Sequence, residues 1–257
     1  KFLNLPKNNK SYSLFILCKN RSVALLSGLS ERFPSLNCQS RDFTREKIDR
    51  LTKERTIWFA NVKSFKDKHE RQIPDAFFKD WPRDSVNSYR TISTKIDEKI
   101  SAFVSCWTMF DGENYALWKM YDPESTGVCI VTTVGELLQQ VNRSDLVLCY
   151  VEYINPNKVE KRIDLPWIIY EPGSVPHAMR VKEKFKILPY KYENEVRGII
   201  YKIGEDSGIA LHIDVVAFVK EIYLNPFMNK DASLLLKTEL EKVFDPAIFK
   251  ESIINEK

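Results

Sequence analysis

The chain predicts an α+β fold: one domain over residues 1–257, with mixed or antiparallel sheets of about seven strands and flanking helices. Three observations predict it. Apolar runs of strand length cluster after position 100, and helical stripes separate them irregularly, without the strand–helix rhythm of a parallel sheet. Hydrophobic residues make up 44% of the chain and charged residues 29%, which suits a buried core and not a disordered chain. Glycine is scarce, with 8 in the chain and no GxGxxG or Walker loop, which excludes the usual glycine-cradled nucleotide folds.

Taken in order, Phe2, Leu3 and Leu5 predict a short first strand closed by Pro6, and Leu14 to Cys18 is a second apolar run. Pro34, Ser35, Asn37 and Ser40 mark a loop. Thr44 is placed to cap a helix over 45–55 with Ile48 and Leu51 as its stripe. Ile57 to Ala60 reads as a strand, and 71–90 as an ordered aromatic excursion. Ile92, Ile96 and Ile100 predict a helix by their four-residue spacing. Ala102 to Thr108 is a buried strand. Tyr115, Leu117, Trp118 and Tyr121 then lie on a short helix that Asp122-Pro123 ends.

Gly127 to Thr132 is the next strand, and Thr133 with Glu136 has the form of a capping box. Val147 to Tyr153 reads as a strand, and 155–180 as a proline-rich stretch with one short helix. After a strand through Glu193, the turn at Glu205 to Gly208 leads into Ile209 to Ile213, and Phe218 to Leu224 is the last strand. Leu235, Leu236, Leu240, Val243 and Phe244 line a final helix stopped by Asp245-Pro246.

The net charge of +4 permits an anionic small molecule or RNA as partner, without the dense basic stripe that duplex binding uses. The five cysteines share no CxxC spacing, and Cys106, Cys129 and Cys149 sit in apolar runs as small hydrophobes. A reducing, cytoplasmic setting is expected. No apolar run reaches the ~18 residues of a membrane span, and the N-terminal apolar run is too short for a signal peptide.

Lys186 to Tyr201 is the sharpest stretch. In a strand, Glu193, Glu195 and Arg197 all project from one face. Such a trio is either an exposed face where Arg197 offsets two acids, or a site in which a carboxylate stabilises a cationic transition state or takes a proton. Trp118 and Tyr121, one turn apart, are either core or a stacking platform. Asp67, His69 and Glu70 offer metal-type donors with no second histidine at ligand spacing, so a solvated turn competes with a metal site. Ser105 and Thr108 bring hydroxyls to a strand end. Cys106 has no indicated base and reads as packing.

Read as a series, these pieces resemble the bacterial family called Domain of Unknown Function two-nine-seven-one. The chain supplies Lys1-Phe2, Phe65-Lys-Asp67-Lys-His-Glu70, Cys106-Trp-Thr108, Leu117-Trp118-Lys-Met-Tyr121, Gly127-Val-Cys-Ile130 and Lys186 through Arg197, in the family's order. It departs at Lys68, Tyr190 and Thr108, where the family pattern has proline, tryptophan and serine, and residues 7–45 look like an insertion.

The resemblance, with Glu-x-Glu ahead of an apolar strand, looks in turn like the ADP-ribosyltransferase arrangement. It implies an NAD-consuming enzyme of the toxin or phage-defence kind, acting on an RNA, DNA or protein acceptor and open to control by a partner protein. Carried over by analogy, Glu195 is the catalytic glutamate and Glu193 its acceptor-activating partner. Lys1, Ser105 or Thr108 would anchor NAD, Trp118 or Tyr121 would stack on it, and Lys186 and Arg197 would meet pyrophosphate or an anionic target. Two other readings stay open. One is a Mg-dependent nuclease built on Asp67, Glu70, Glu193 and Glu195. The other is a non-catalytic nucleotide- or peptide-binding module.

Overall fold

The computed structural model describes residues 13–17, 48–65, 75–109, 113–155, 168–170 and 182–254. The fold is α+β, a mixed sheet with flanking helices, as the sequence predicts at that level. The strands are β1 (Ser13–Leu17), β2 (Thr56–Asn61), β3 (Ile100–Met109), β4 (Val128–Thr133), β5 (Leu146–Tyr150), β6 (Glu152–Ile154), β7 (Ile168–Tyr170), β8 (Phe185–Ile187), β9 (Glu195–Ile203), β10 (Gly208–His212), β11 (Glu221–Leu224) and β12 (Phe249–Lys250). The helices are α1 (Arg83–Lys99), α2 (Tyr115–Tyr121), α3 (Val134–Val141), α4 (Val215–Phe218) and α5 (Lys230–Leu240).

Ten strands form one sheet, in the order β12-β11-β4-β1-β3-β9-β5-β7, with β2 and β10 branching from it. The branch lies on β3. One edge of β3 pairs with β9 from Ile100↔Ile203 to Thr108↔Glu195. The other edge is shared, with β2 at Phe103 and Val104 and β1 at Thr108 and Met109. Among the described residues, β11–β12 is the one parallel pair in this sheet, and β6 and β8 form a separate parallel pair. Strand β1 falls inside the segment that looked like an insertion, and it sits mid-sheet between β4 and β3. The rest of 7–45 lies outside the described residues, as do the strand expected at Phe2 to Leu5 and the Thr44 cap.

Local chemistry sets the ends of several elements. Asn114 accepts from the Leu117 amide to start α2, and Asp122 before Pro123 stops it. The buried Asp122 carboxylate then accepts from the Thr126 and Gly127 amides and from Asn225 Nδ2, tying the turn into β4. Burial raises its pKa, against the lowering effect of those three bonds. Thr133 accepts from the Glu136 amide, so half of the expected capping box forms. The Glu136 carboxylate instead receives Gln140 and Lys220.

Some expected boundaries shift. The run Val147 to Tyr153 divides between two sheets at Val151, and Phe218 ends the turn of α4 instead of opening a strand. The last strand is β12, not β11. Helix α1 forms where the isoleucine spacing predicts, but Ile92 is 51% exposed. Its polar composition and the Asp84 and Lys99 charges near its ends suit a solvated helix. The final helix ends at Leu240, with Leu235 exposed.

The main core lies on the sheet face carrying Phe103, Trp107, Ile130, Leu148, Val196 and Ile200, covered by Leu137 and Val141 of α3, Phe218 and Leu240. Burying each such side chain contributes roughly 1.5–3 kcal/mol. The opposite face carries two smaller clusters. One is Val104, Cys106, Val147, Cys149 and Ile199 under Val62, and the other is Leu117, Trp118 and Tyr121 of α2 on Cys129 and Val131. Among the described residues, no helix is long and apolar enough to cross a membrane.

Candidate functional site

The polar centre joins those two smaller clusters. Thr108 stands opposite Glu195, and Arg197 is flanked by Cys106 on β3 and Cys149 on β5. Directly opposed residues share a face, so all five point to the same side of the sheet. The stretch before β9 does not continue as a strand. Leu188–Glu193 is a 3-10 helix begun by Pro189, and Asn194 takes a left-handed conformation at φ 42. Asn194 is locked to β3, since its carbonyl accepts from the Met109 amide and its side-chain amide donates to the Met109 carbonyl. This turn, and not strand alternation, swings Glu193 in beside Glu195.

Charge fills the centre. Glu193, Glu195, Lys186 and Arg197 are each at most 1% exposed. Lys186 Nζ lies 2.5 Å from Glu193 Oε2 and 3.6 Å from Glu195 Oε2. The Tyr121 hydroxyl donates to Glu193 Oε1. Arg197 donates Nε to Glu195 Oε1 at 2.6 Å and Nη2 to Oε2 at 3.4 Å, and its Nη1 donates to the Glu183 carbonyl at 2.7 Å. The Glu195 amide donates to the Tyr153 hydroxyl at 2.9 Å, which joins the small β6–β8 sheet to the start of β9. The ring of Tyr190 faces Lys186 Nζ at 4.7 Å.

An exposed strand face is therefore ruled out as the reading of this trio. Burying four charges costs several kcal/mol per ion, recovered only where partners and geometry are good, as they are here. Burial also raises the Cys149 thiol to about 12. Lys184 and Arg197 oppose that rise, and Glu195 and Glu183 add to it.

The structure brings together Glu193, Glu195, Lys186, Arg197, Thr108 and Tyr121 of the residues the sequence singles out. It sets two others apart. Ser105 points to the opposite, main-core face, where it accepts from the Trp107 indole at 3.1 Å. Trp118 is buried in its apolar cluster, and its indole N–H donates to Glu113 Oε1 at 3.0 Å and not to either of the two carboxylates. Tyr121 reaches the centre through its hydroxyl, its ring being packed in that cluster. Lys1, Asp67, His69 and Glu70 lie outside the described residues. Among the described residues, no group of three or more His, Cys, Asp or Glu side chains is arranged to hold a metal ion.

Sequence reasoning missed the charged strand entrance Lys182-Glu183-Lys184. All three are buried: Lys182 pairs with Asp97 of α1, and Glu183 Oε2 accepts from the Tyr201 hydroxyl at 3.0 Å. A run of alternating charge ordinarily reads as solvated. The one hint was that Lys182, Lys184 and Lys186 alternate just ahead of the Glu-x-Glu stretch. Comparison with family models, with curated proteins and with solved structures returns no match.

Proposed function

We propose that this centre serves an NAD-consuming, ADP-ribosyltransferase-like reaction, with Glu195 as its catalytic carboxylate. One observation carries the reading. Two carboxylates separated by one residue are held side by side in a buried, hydrogen-bonded setting, where a carboxylate acts on developing charge far more strongly than in water. The motif series that resembles the family supports it further.

The chemistry follows from the charges. Breaking the nicotinamide glycosidic bond leaves its electron pair on nicotinamide and develops positive charge at C1′ of the ribose. A fixed Glu195 carboxylate lowers that barrier electrostatically. The acceptor then bonds to C1′ and gives its proton to Glu193. Arg197 and Lys186 neutralise both acids. A pyrophosphate competes for the same two cations, so its binding releases Glu195 to face the ribose. Thr108 stands opposite Glu195, and in this reading its hydroxyl orients the ribose. RNA, DNA or protein is the acceptor class, and the reaction belongs with toxins and phage-defence effectors.

A second reading is favoured by the same neutralisation. Carboxylates fully matched by Lys186 and Arg197 also suit a non-catalytic module that binds a nucleotide or peptide by exchange of ion-pair partners. Nicotinamide release from NAD, with RNA, DNA and protein supplied as acceptors, separates the two. Release supports the transferase, and saturable binding of NAD without release favours the module.

A further inference from the structure

We infer that β6, β8 and the 3-10 turn Leu188–Glu193 form a flap over the Glu195 carboxylate, and that it opens between Lys186 and Glu195 to admit a ligand. The inference rests on the transferase reading for the identity of what enters, a dinucleotide, but not for the motion.

Burial requires some element to move. Glu193 and Glu195 are each at most 1% exposed, so a dinucleotide reaches neither carboxylate in this arrangement. Strand β9 is held in place, since it pairs with β3 along one edge and with β5 along the other. The flap is held differently. Strands β6 and β8 have three residues each and, among the described residues, pair only with one another. A two-stranded unit of this kind is marginal without packing. Among the described residues, Tyr192 alone of its side chains packs on the three apolar clusters, and the buried Phe185 lies in none of them.

The chain on either side of the flap is pinned. The Val151 amide donates to the Glu195 carbonyl at 2.9 Å, and Asn194 is bonded twice to Met109. Glu183 gives its carbonyl to Arg197 and its carboxylate to the Tyr201 hydroxyl. Motion is thereby confined to the backbone beside Val151, Lys184 and Asn194, the element-terminal positions that a hinge uses.

Charge decides where the flap parts. Lys186 Nζ lies 2.5 Å from Glu193, which travels with it, and 3.6 Å from Glu195, which stays on β9. Arg197 stays too, 2.6 Å from Glu195. Each half keeps a complete ion pair, so opening strands no charge, the event that makes breaking a buried pair severe. It breaks the 3.6 Å contact, the bond from the Tyr121 hydroxyl to Glu193 and the bond from the Glu195 amide to the Tyr153 hydroxyl. Local opening of this kind draws on few apolar contacts.

The test is native-state amide exchange followed by NMR on the full chain. The Glu195 amide reports the flap through Tyr153. The Met109 amide, held by the Asn194 carbonyl at the same end of the sheet, reports the pinned side, and the Ile199 amide reports the sheet interior. Protection of Glu195 should be at least ~100-fold lower than that of Met109 and Ile199. Its exchange should also stay flat in urea below the unfolding transition, because the parting exposes little apolar surface. Such exchange in a chain that releases no nicotinamide from NAD would sustain the flap and remove the dinucleotide as its ligand. Equal protection of Glu195 and Met109, or Glu195 exchange that rises with urea as steeply as that of Ile199, would overturn the inference whatever the NAD assay gives.

Discussion

Arg197 grips Glu195 from two residues along the same strand, with Nε at 2.6 Å and Nη2 at 3.4 Å, while its remaining nitrogen holds the Glu183 carbonyl. Strand alternation makes such a pair available, because residues two apart share a face. Burial makes it matter. An exposed pair of this kind is worth about 0–1 kcal/mol, whereas breaking a buried one strands a charge.

Removing either partner of the Lys186–Glu193 pair should therefore be severe. Lys186→Met and Glu193→Gln are each expected to cost about 3–5 kcal/mol in urea denaturation. The double variant should recover much of that loss, since it removes both charges. Additive losses in the double variant would show that the two groups do not compensate one another.

Tyr121 is expected to matter through its hydroxyl. Tyr121→Phe keeps the packing against Leu117, Cys129 and Val131 and deletes the donor to Glu193. The loss should be about 1.5–3 kcal/mol, the range for a hydrogen bond to a charged group. An unchanged urea midpoint would mean that the bond contributes nothing net.

Cys149 gives a pH dependence. Its thiol is pushed from 9.0 up to about 12 in the folded protein, chiefly by burial. Between those values the folded chain keeps a proton that the unfolded chain gives up. The stability tied to this thiol is thus full below 9.0 and lost as pH rises toward about 12. The stability difference between wild type and Cys149→Ala should shrink steadily from pH 8.5 to 11. Rapid alkylation of Cys149 in the folded protein at pH 8.5 would contradict this account.

Gly208 is required by a neighbour and not by its own backbone angles. A Cβ at this position would lie 2.2 Å from Trp58 Cζ2, across the β2–β10 pair. Gly208→Ala should cost about 1–3 kcal/mol by overpacking. A small loss would mean that the indole moves aside; Arg50, stacked on it at 4.5 Å, would then move too.

Much of the fold was legible because its signals are local. The apolar runs at 57–60, 102–108 and 209–213 fall on β2, β3 and β10, and Asp122-Pro123 marks the end of α2. What was not legible depends on contacts distant in sequence. Nothing in Leu14 to Leu17 says that this short run pairs with both β3 and β4. Alternation alone puts Glu193 on the correct side as part of a strand, while the left-handed Asn194 that sets its position depends on Met109 far upstream. Lys182, Glu183 and Lys184 look like surface charge until Asp97, Tyr201 and Arg197 are brought to them by the tertiary fold.

The most direct test of the central claim is nicotinamide release from NAD by wild type beside Glu195→Gln, with RNA, DNA and protein present as acceptors. Glutamine keeps the shape of Glu195 and removes its charge, so the comparison isolates electrostatic stabilisation. The account predicts release by wild type and a loss of about 100-fold or more in a folded Glu195→Gln variant. Release that continues undiminished in that variant, or no release by wild type with any acceptor, would contradict it.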